Sequence, residues 1–390
     1  MLAAIGAILF AVGLSGTNAI PQGPPGDAFY VAPATFALQR EGAVIWARPF
    51  TGGSALPSAV TNYRVLYQTQ SPSGAMVAVS GTVAVPHGVA PARGWPLISW
   101  AHGTVGNAPQ CAPSRETGPN VEQRMLDGFV RAGYVVAQTD YEGNGTPGIH
   151  PYMVATAAAH DVTDIVKAAR EIDPQIGRDW IVMGHSEGGA AALATAALGQ
   201  QIAPSLNLLG VVSFAPFAFP ESTLQFELHN GQPNGGLAIL ALLIEGYSTV
   251  DPRVVPSEIL EPNVMSQMVP EINRLCIYEL MRQSDWSRTI PSTVFRPQGE
   301  SAVEALYGDL VGNDPAYFLI SIPTLLVQGG ADTMVAPAST LTVAQQLRRN
   351  GTPVEYKAYG GTTHGSVLAA SLDDVLAWAD ARFAKAAAGR

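Results

Sequence analysis

Apolar residues follow two spacings along this chain, and the two alternate. Residues 63–69 and 75–85 are β-rich runs joined by Ser71-Pro72-Ser73-Gly74, which predicts an antiparallel hairpin at a sheet edge. Short apolar runs at 96–100, 133–137, 180–183, 210–215, 323–328 and 354–359 read as buried strands. Helical stretches lie between them. In residues 153–170, Val154, Ala158, Val162, Ile165 and Ala169 fall on one face. Residues 121–132 and 338–349 read as two more helices, and 187–198, built from Gly and Ala, as one that lies close to the sheet. The last helix is predicted to start at Ser371, with Asp374 completing a capping box and Leu372, Val375, Leu376, Ala379 and Phe383 as its apolar face. Repeated strand–helix units mean an α/β fold with a mostly parallel sheet flanked by helices.

The alternation is interrupted once. Residues 216–317 carry apolar helical segments at 237–244 and 264–281 and no run of the parallel-strand type, and read as an inserted helical cap. The core therefore divides into 20–215, which begins with an arm of no clear period over 20–60, and 318–390. Residues 1–19 read as a secretory signal peptide: 2–14 are almost entirely apolar, Thr17 and Ala19 are small, and a Pro/Gly-rich stretch follows. The run is too short to span a bilayer.

Composition narrows the function. Charged residues are 13% of the 390 and hydrophobic residues 47%, which argues against disorder. A formal charge of −10 argues against nucleic acid and against docking on anionic membranes. The two cysteines, Cys111 and Cys276, allow one disulfide in a secreted chain.

The candidate chemistry lies where apolar runs end. Gly184-His185-Ser186-Glu187-Gly188 follows one such run and precedes the small-residue helix. A serine at so sharp a turn sits in a strained backbone, and side chains two residues either way would clash with the strand and helix. With Gly at 40 of 390 positions, chance supplies G-x-S-x-G on the order of 0.2 times, so the motif needs company. Asp332 and His364 supply it. Each follows an apolar run and a glycine pair, and Ser186, Asp332, His364 is the α/β-hydrolase order. Serine is a poor nucleophile unless a base takes its proton. His364 is the expected base and Asp332 its orienting acid, with Asp309 and Asp314 less well placed. The expected oxyanion donors are the N–H of Glu187 and Thr104 in the loop after residues 96–100, with Gly103 and Gly106 as alternatives. Asp140 and Glu142 lack His or Cys partners at ligand spacing and read as loop-fixing groups; no metal or cofactor is implied.

The chain resembles the secretory lipase family. The resemblance rests on Asp27-Ala28-Phe29-Tyr30, Trp100-Ala101-His102-Gly103-Thr104, Cys111-Ala112-Pro113-Ser114, Tyr134-Val135-Val136 with Asp140, the elbow, the helical insertion, and the Asp332 and His364 loops. It implies a Cys111–Cys276 bridge from catalytic domain to cap. It also implies hydrolysis of acylglycerols or simpler esters under a cap that forms an acyl tunnel and lid. Leu240, Leu243 and Ile244 are candidates for that pocket or lid, and the alternative is that they form the cap's own core. The reading is a secreted carboxylic-ester hydrolase, a triacylglycerol lipase first. A short-chain esterase or peptidase on the same triad comes second, and a non-catalytic binding protein of the same fold last. The expected partner is an ester substrate, including one at a lipid–water interface, with no nucleic acid and no membrane span.

Overall fold

The computed structural model describes residues 20–34, 40–115 and 120–389. The signal peptide expected over 1–19 lies outside these residues. Among the described residues nine strands form one sheet: β1 (Val44–Phe50), β2 (Ala59–Gln70), β3 (Met76–Pro86), β4 (Trp95–Ala101), β5 (Val135–Thr139), β6 (Ile176–His185), β7 (Asn207–Phe214), β8 (Thr324–Gly329) and β9 (Val354–Tyr359). Their spatial order is β1-β2-β3-β5-β4-β6-β7-β8-β9. The first three pairings are antiparallel and the other five parallel. The main helices are α1 (Val121–Arg131), α2 (Ala155–Ile172), α3 (Glu187–Ile202), α4 (Pro220–His229), α5 (Gly236–Ser248), α6 (Glu300–Gly312), α7 (Pro337–Arg349) and α8 (Ser366–Ala388).

The parallel strands are apolar on both faces because both faces are covered. Leu97, Val182 and Leu326 pack with Val162 and Ile165 of α2, Leu193 of α3 and Leu347 of α7. Their neighbours Ile98, Ile181, Met183 and Leu325 point the other way, onto Leu126 and Phe129 of α1 and Leu368 and Val375 of α8.

Three expectations change. The arm over 20–60 is not without period: it contains β1, on the sheet edge. A register shift between Val44 and Trp46 breaks its alternation, and Pro49 is tolerated because an edge strand need not donate every N–H. The helix expected over 264–281 is three short turns, Pro262–Gln267, Val269–Ile272 and Ile277–Arg282, because Pro270 cannot donate within a continuous helix and Cys276 is held elsewhere. The last helix starts at Ser366, not Ser371. Ser371 is buried inside it, its hydroxyl donating back to the Val367 carbonyl at 2.7 Å, and Asp374 instead accepts from the Tyr359 hydroxyl at 2.5 Å. The true start places His364 two residues before a helix.

Motifs far apart in the chain meet in space. The Tyr30 hydroxyl lies 3.0 Å from Ser114 Oγ, and Ser114 donates from N (2.9 Å) and Oγ (2.5 Å) to Asp140. Arg115 stacks 3.5 Å over the Tyr30 ring and pairs with Asp27 at 2.5 Å. Asp140 also accepts from Ser80 Oγ at 2.6 Å, so it fixes the loop after β5. No helix among the described residues is long and apolar enough to cross a membrane.

Candidate active site

Ser186 stands between β6 and α3 with φ 60° and ψ −118°, a conformation that costs a non-glycine residue energy. Its surroundings hold it there. Its N–H donates to the Phe214 carbonyl at 2.9 Å, and its carbonyl accepts from Phe217 N at 3.0 Å. The flanking glycines are required by space: a Cβ at Gly184 would lie 2.1 Å from the Gly188 carbonyl oxygen, and one at Gly188 1.9 Å from the Ala101 oxygen.

Asp332 lies in the loop after β8. Its carboxylate accepts from His364 Nδ1 at 2.7 Å, Met334 N at 2.8 Å, Val335 N at 3.0 Å and Gln328 Nε2 at 3.1 Å. Burial pushes its carboxyl up. The hydrogen bond and charge of His364, with the two amides, outweigh burial and hold it below the ordinary carboxylate range. Burial also lowers the His364 pKa, and the charge of His185 adds to this, against the raising influence of Asp332. His364 is therefore neutral near pH 7, with Nδ1–H fixed on Asp332 and Nε2 as the basic nitrogen. The residue before the serine ties this loop to the elbow: His185 Nε2 donates to the His364 carbonyl at 2.9 Å, and the two rings are 4.3 Å apart.

Glu187 opens α3, so its backbone N–H is among those a helix leaves unpaired at its start. Its side chain is buried and turned away, bonded to His150 Nε2 at 2.8 Å. Thr104 Oγ1 shares a 2.8 Å hydrogen bond with the Tyr152 hydroxyl. The Gly103 N–H is committed to Glu122 Oε1 at 3.0 Å, and Gly106 packs against residues 275–277.

The helical insertion packs on this end of the sheet. Cys111 and Cys276 form a disulfide across 165 residues, and Ile277 N donates to the Val105 carbonyl at 2.8 Å. Leu240, Leu243 and Ile244 of α5 are no more than 1% exposed and lie in the insertion's own core with Leu224, Trp286 and Leu306. Away from the site, Glu41, His160 and Asp164 bring possible ligand atoms within 4.8 Å of one another. There the Lys167 ammonium already bridges the two carboxylates, at 2.8 and 2.7 Å.

Glu122 and Tyr152 carry no signal in the sequence, and His150 and His185 read there as structural histidines. Glu122 looks like any acid in a helix's first turn. Only its burial, with Trp100 Nε1, Gly103 N and His185 Nδ1 all directed at it, sets it apart.

Comparison with known proteins gives the fold and the family. Over 383 residues the chain is 24% identical to a probable inactive lipase of Mycobacterium tuberculosis, covering 93% of this chain and 83% of that one. It is 23% identical over 382 residues to a secreted triacylglycerol lipase of Malassezia globosa, covering 91% and 80%. The crystal structure of Candida antarctica lipase A superposes with a TM-score of 0.70 at 18% identity, covering 86% of this chain and 80% of that one, and shares the α/β-hydrolase fold. The family model for secretory lipases matches residues 116–390, so this chain belongs to the secretory lipase family.

Proposed function

We propose that this protein is an extracellular carboxylic-ester hydrolase, acting first on acylglycerols, with Ser186, His364 and Asp332 as its catalytic residues. The observation that carries the reading is the 2.7 Å Asp332–His364 hydrogen bond held against the strained Ser186 elbow through His185. Ser186 Oγ attacks the ester carbonyl carbon while His364 Nε2 takes its proton. The oxyanion is met by the Glu187 N–H and by Thr104. The alcohol leaves with the proton from His364, and water then cleaves the acyl-enzyme by the same route. Family membership and the oxidised Cys111–Cys276 pair support secretion.

The burial of Leu240, Leu243 and Ile244 favours a second reading, a short-chain esterase, because these side chains do not present an open wall to a long acyl chain. A relative described as an inactive lipase makes a direct test of chemistry necessary. Treatment with a fluorophosphonate should leave one covalent adduct on Ser186. Ser186→Ala should lose that adduct and about five orders of magnitude in ester hydrolysis without a change in fold; a folded parent protein that takes no label would reject the enzyme reading. A chain-length series of p-nitrophenyl esters beside emulsified triglyceride separates lipase from esterase.

A further inference from the structure

Glu122 sits in the first turn of α1, yet its carboxylate faces the strand ends. Oε1 accepts from Gly103 N at 3.0 Å and His185 Nδ1 at 3.2 Å, and Oε2 accepts from the Trp100 indole N–H at 2.9 Å. Gly103 comes so near that a Cβ there would meet Glu122 Oε1 at 3.1 Å and the His185 carbonyl at 3.3 Å. The other nitrogen of His185 donates to the His364 carbonyl. A carbonyl only accepts, so Nε2 of His185 carries a proton, and Nδ1 faces the Glu122 carboxylate.

We propose that Glu122 and His185 form one positioning unit for the reaction read above. Through Trp100 and Gly103 the Glu122 carboxylate fixes the loop that brings Thr104 to the oxyanion. Through His185 it fixes the backbone of the base, His364. Neither residue touches the reacting atoms. The unit joins oxyanion donor and base so that a displacement of one is felt by the other, and displacements below an ångström matter at this step. It also sets charge. The groups facing His364 are Asp332, which favours its protonated form, His185, which opposes it, and Glu122, which favours it more weakly. Burial works against ionising Glu122, but the hydrogen bond and charge of His185, the charge of His102 and the Trp100 indole hold its carboxyl below the ordinary range.

Two variants of the full chain test this, and the inference rests on the triad reading. In Glu122→Gln one acceptor oxygen must serve three donors, so at least one of Trp100, Gly103 and His185 faces an N–H instead. The expected result is a fall in kcat of roughly tenfold or more with KM changed less than about twofold. In His185→Gln the imidazole that opposes protonation of His364 is lost while a donor to the His364 carbonyl is kept. The His364 imidazole, followed by NMR, should then titrate at higher pH than in the parent, and the acid limb of kcat/KM should move with it. Unchanged kcat in folded Glu122→Gln, or an unmoved His364 titration in His185→Gln, overturns the proposal. So does a loss of activity that merely tracks the folded fraction. Should Glu122→Gln not fold, the His185→Gln titration decides alone. Hydrolysis persisting in Ser186→Ala would sink the triad reading instead, and the NMR titration, which needs no turnover, keeps the two failures apart.

Discussion

The strand ends and the helical insertion between β7 and β8 meet at the candidate site, and they are held together differently. At the strand ends the backbone is strained and the polar groups are interlocked. Tyr141, Met153, Ser186, Ala215 and Phe219, the described non-glycine residues with positive φ, all lie in the loops after β5, β6 and β7. Buried partners surround them: the Tyr141 hydroxyl donates to the His102 carbonyl at 3.0 Å, and His150 Nδ1 to the Glu142 carbonyl at 2.9 Å. The insertion is instead short helices around aliphatic side chains, tied to the sheet domain by a disulfide besides the chain at its two ends. Strain needs a frame that over-determines it, and a central parallel sheet supplies one. An apolar core tolerates changes of shape more readily. The proposed chemistry therefore lies where the backbone is most tightly over-determined, at the strand ends.

This contrast can be broken from either side. The largest effect is expected for Gly188→Ala, whose Cβ would meet backbone oxygens at 1.9 and 2.6 Å. A loss of about 4 kcal/mol or more should prevent folding, read by circular dichroism and thermal melting. Leu243→Ala, in the insertion core, should cost about 2–5 kcal/mol and leave the acyl-chain preference unaltered. A changed preference with unaltered stability would instead make Leu243 part of the acyl wall. Cys276→Ser should cost about 2–4 kcal/mol, with proteolysis beginning in the insertion while the sheet domain stays protected.

A smaller effect follows from Asp314, buried between α6 and β8. Burial, helped by the charge of Glu221, pushes its carboxyl up to about 6, against the amides of Ala316 and Phe219. An unfolded aspartate titrates near about 4, so the native state holds the extra proton between these values. Its contribution is complete below the unfolded value and is lost as pH rises through about 6. The melting temperature should fall by on the order of a few degrees from pH 5 to pH 7, and Asp314→Asn should flatten that slope. An unchanged slope would remove Asp314 from the account.

Much of the site is legible in the sequence because its parts are local. A serine between two glycines at a strand end, and an acid and a histidine each after an apolar run and a glycine pair, carry their context within a few residues. The mistaken elements show what local reading lacks. Ser371 resembles a helix cap, but the helix had already begun at Ser366, and the serine found its acceptor one turn back. β1 hides because an edge strand with a register shift keeps no clean alternation.

The sequence alone determined the alternation of the parallel strands with their helices and which residue types stand at the strand ends, since hydrophobic period and turn chemistry are properties of short windows; the family resemblance rested on its motifs. Only the tertiary structure decided that Glu122, 63 residues before His185, shares hydrogen bonds with it and with the loop of Thr104. It also decided that α5 turns its leucines into the insertion rather than toward an open channel. Both depend on long-range packing: a buried carboxylate is stable only where donors from separate segments converge, and an apolar helix buries whichever face its neighbours can cover.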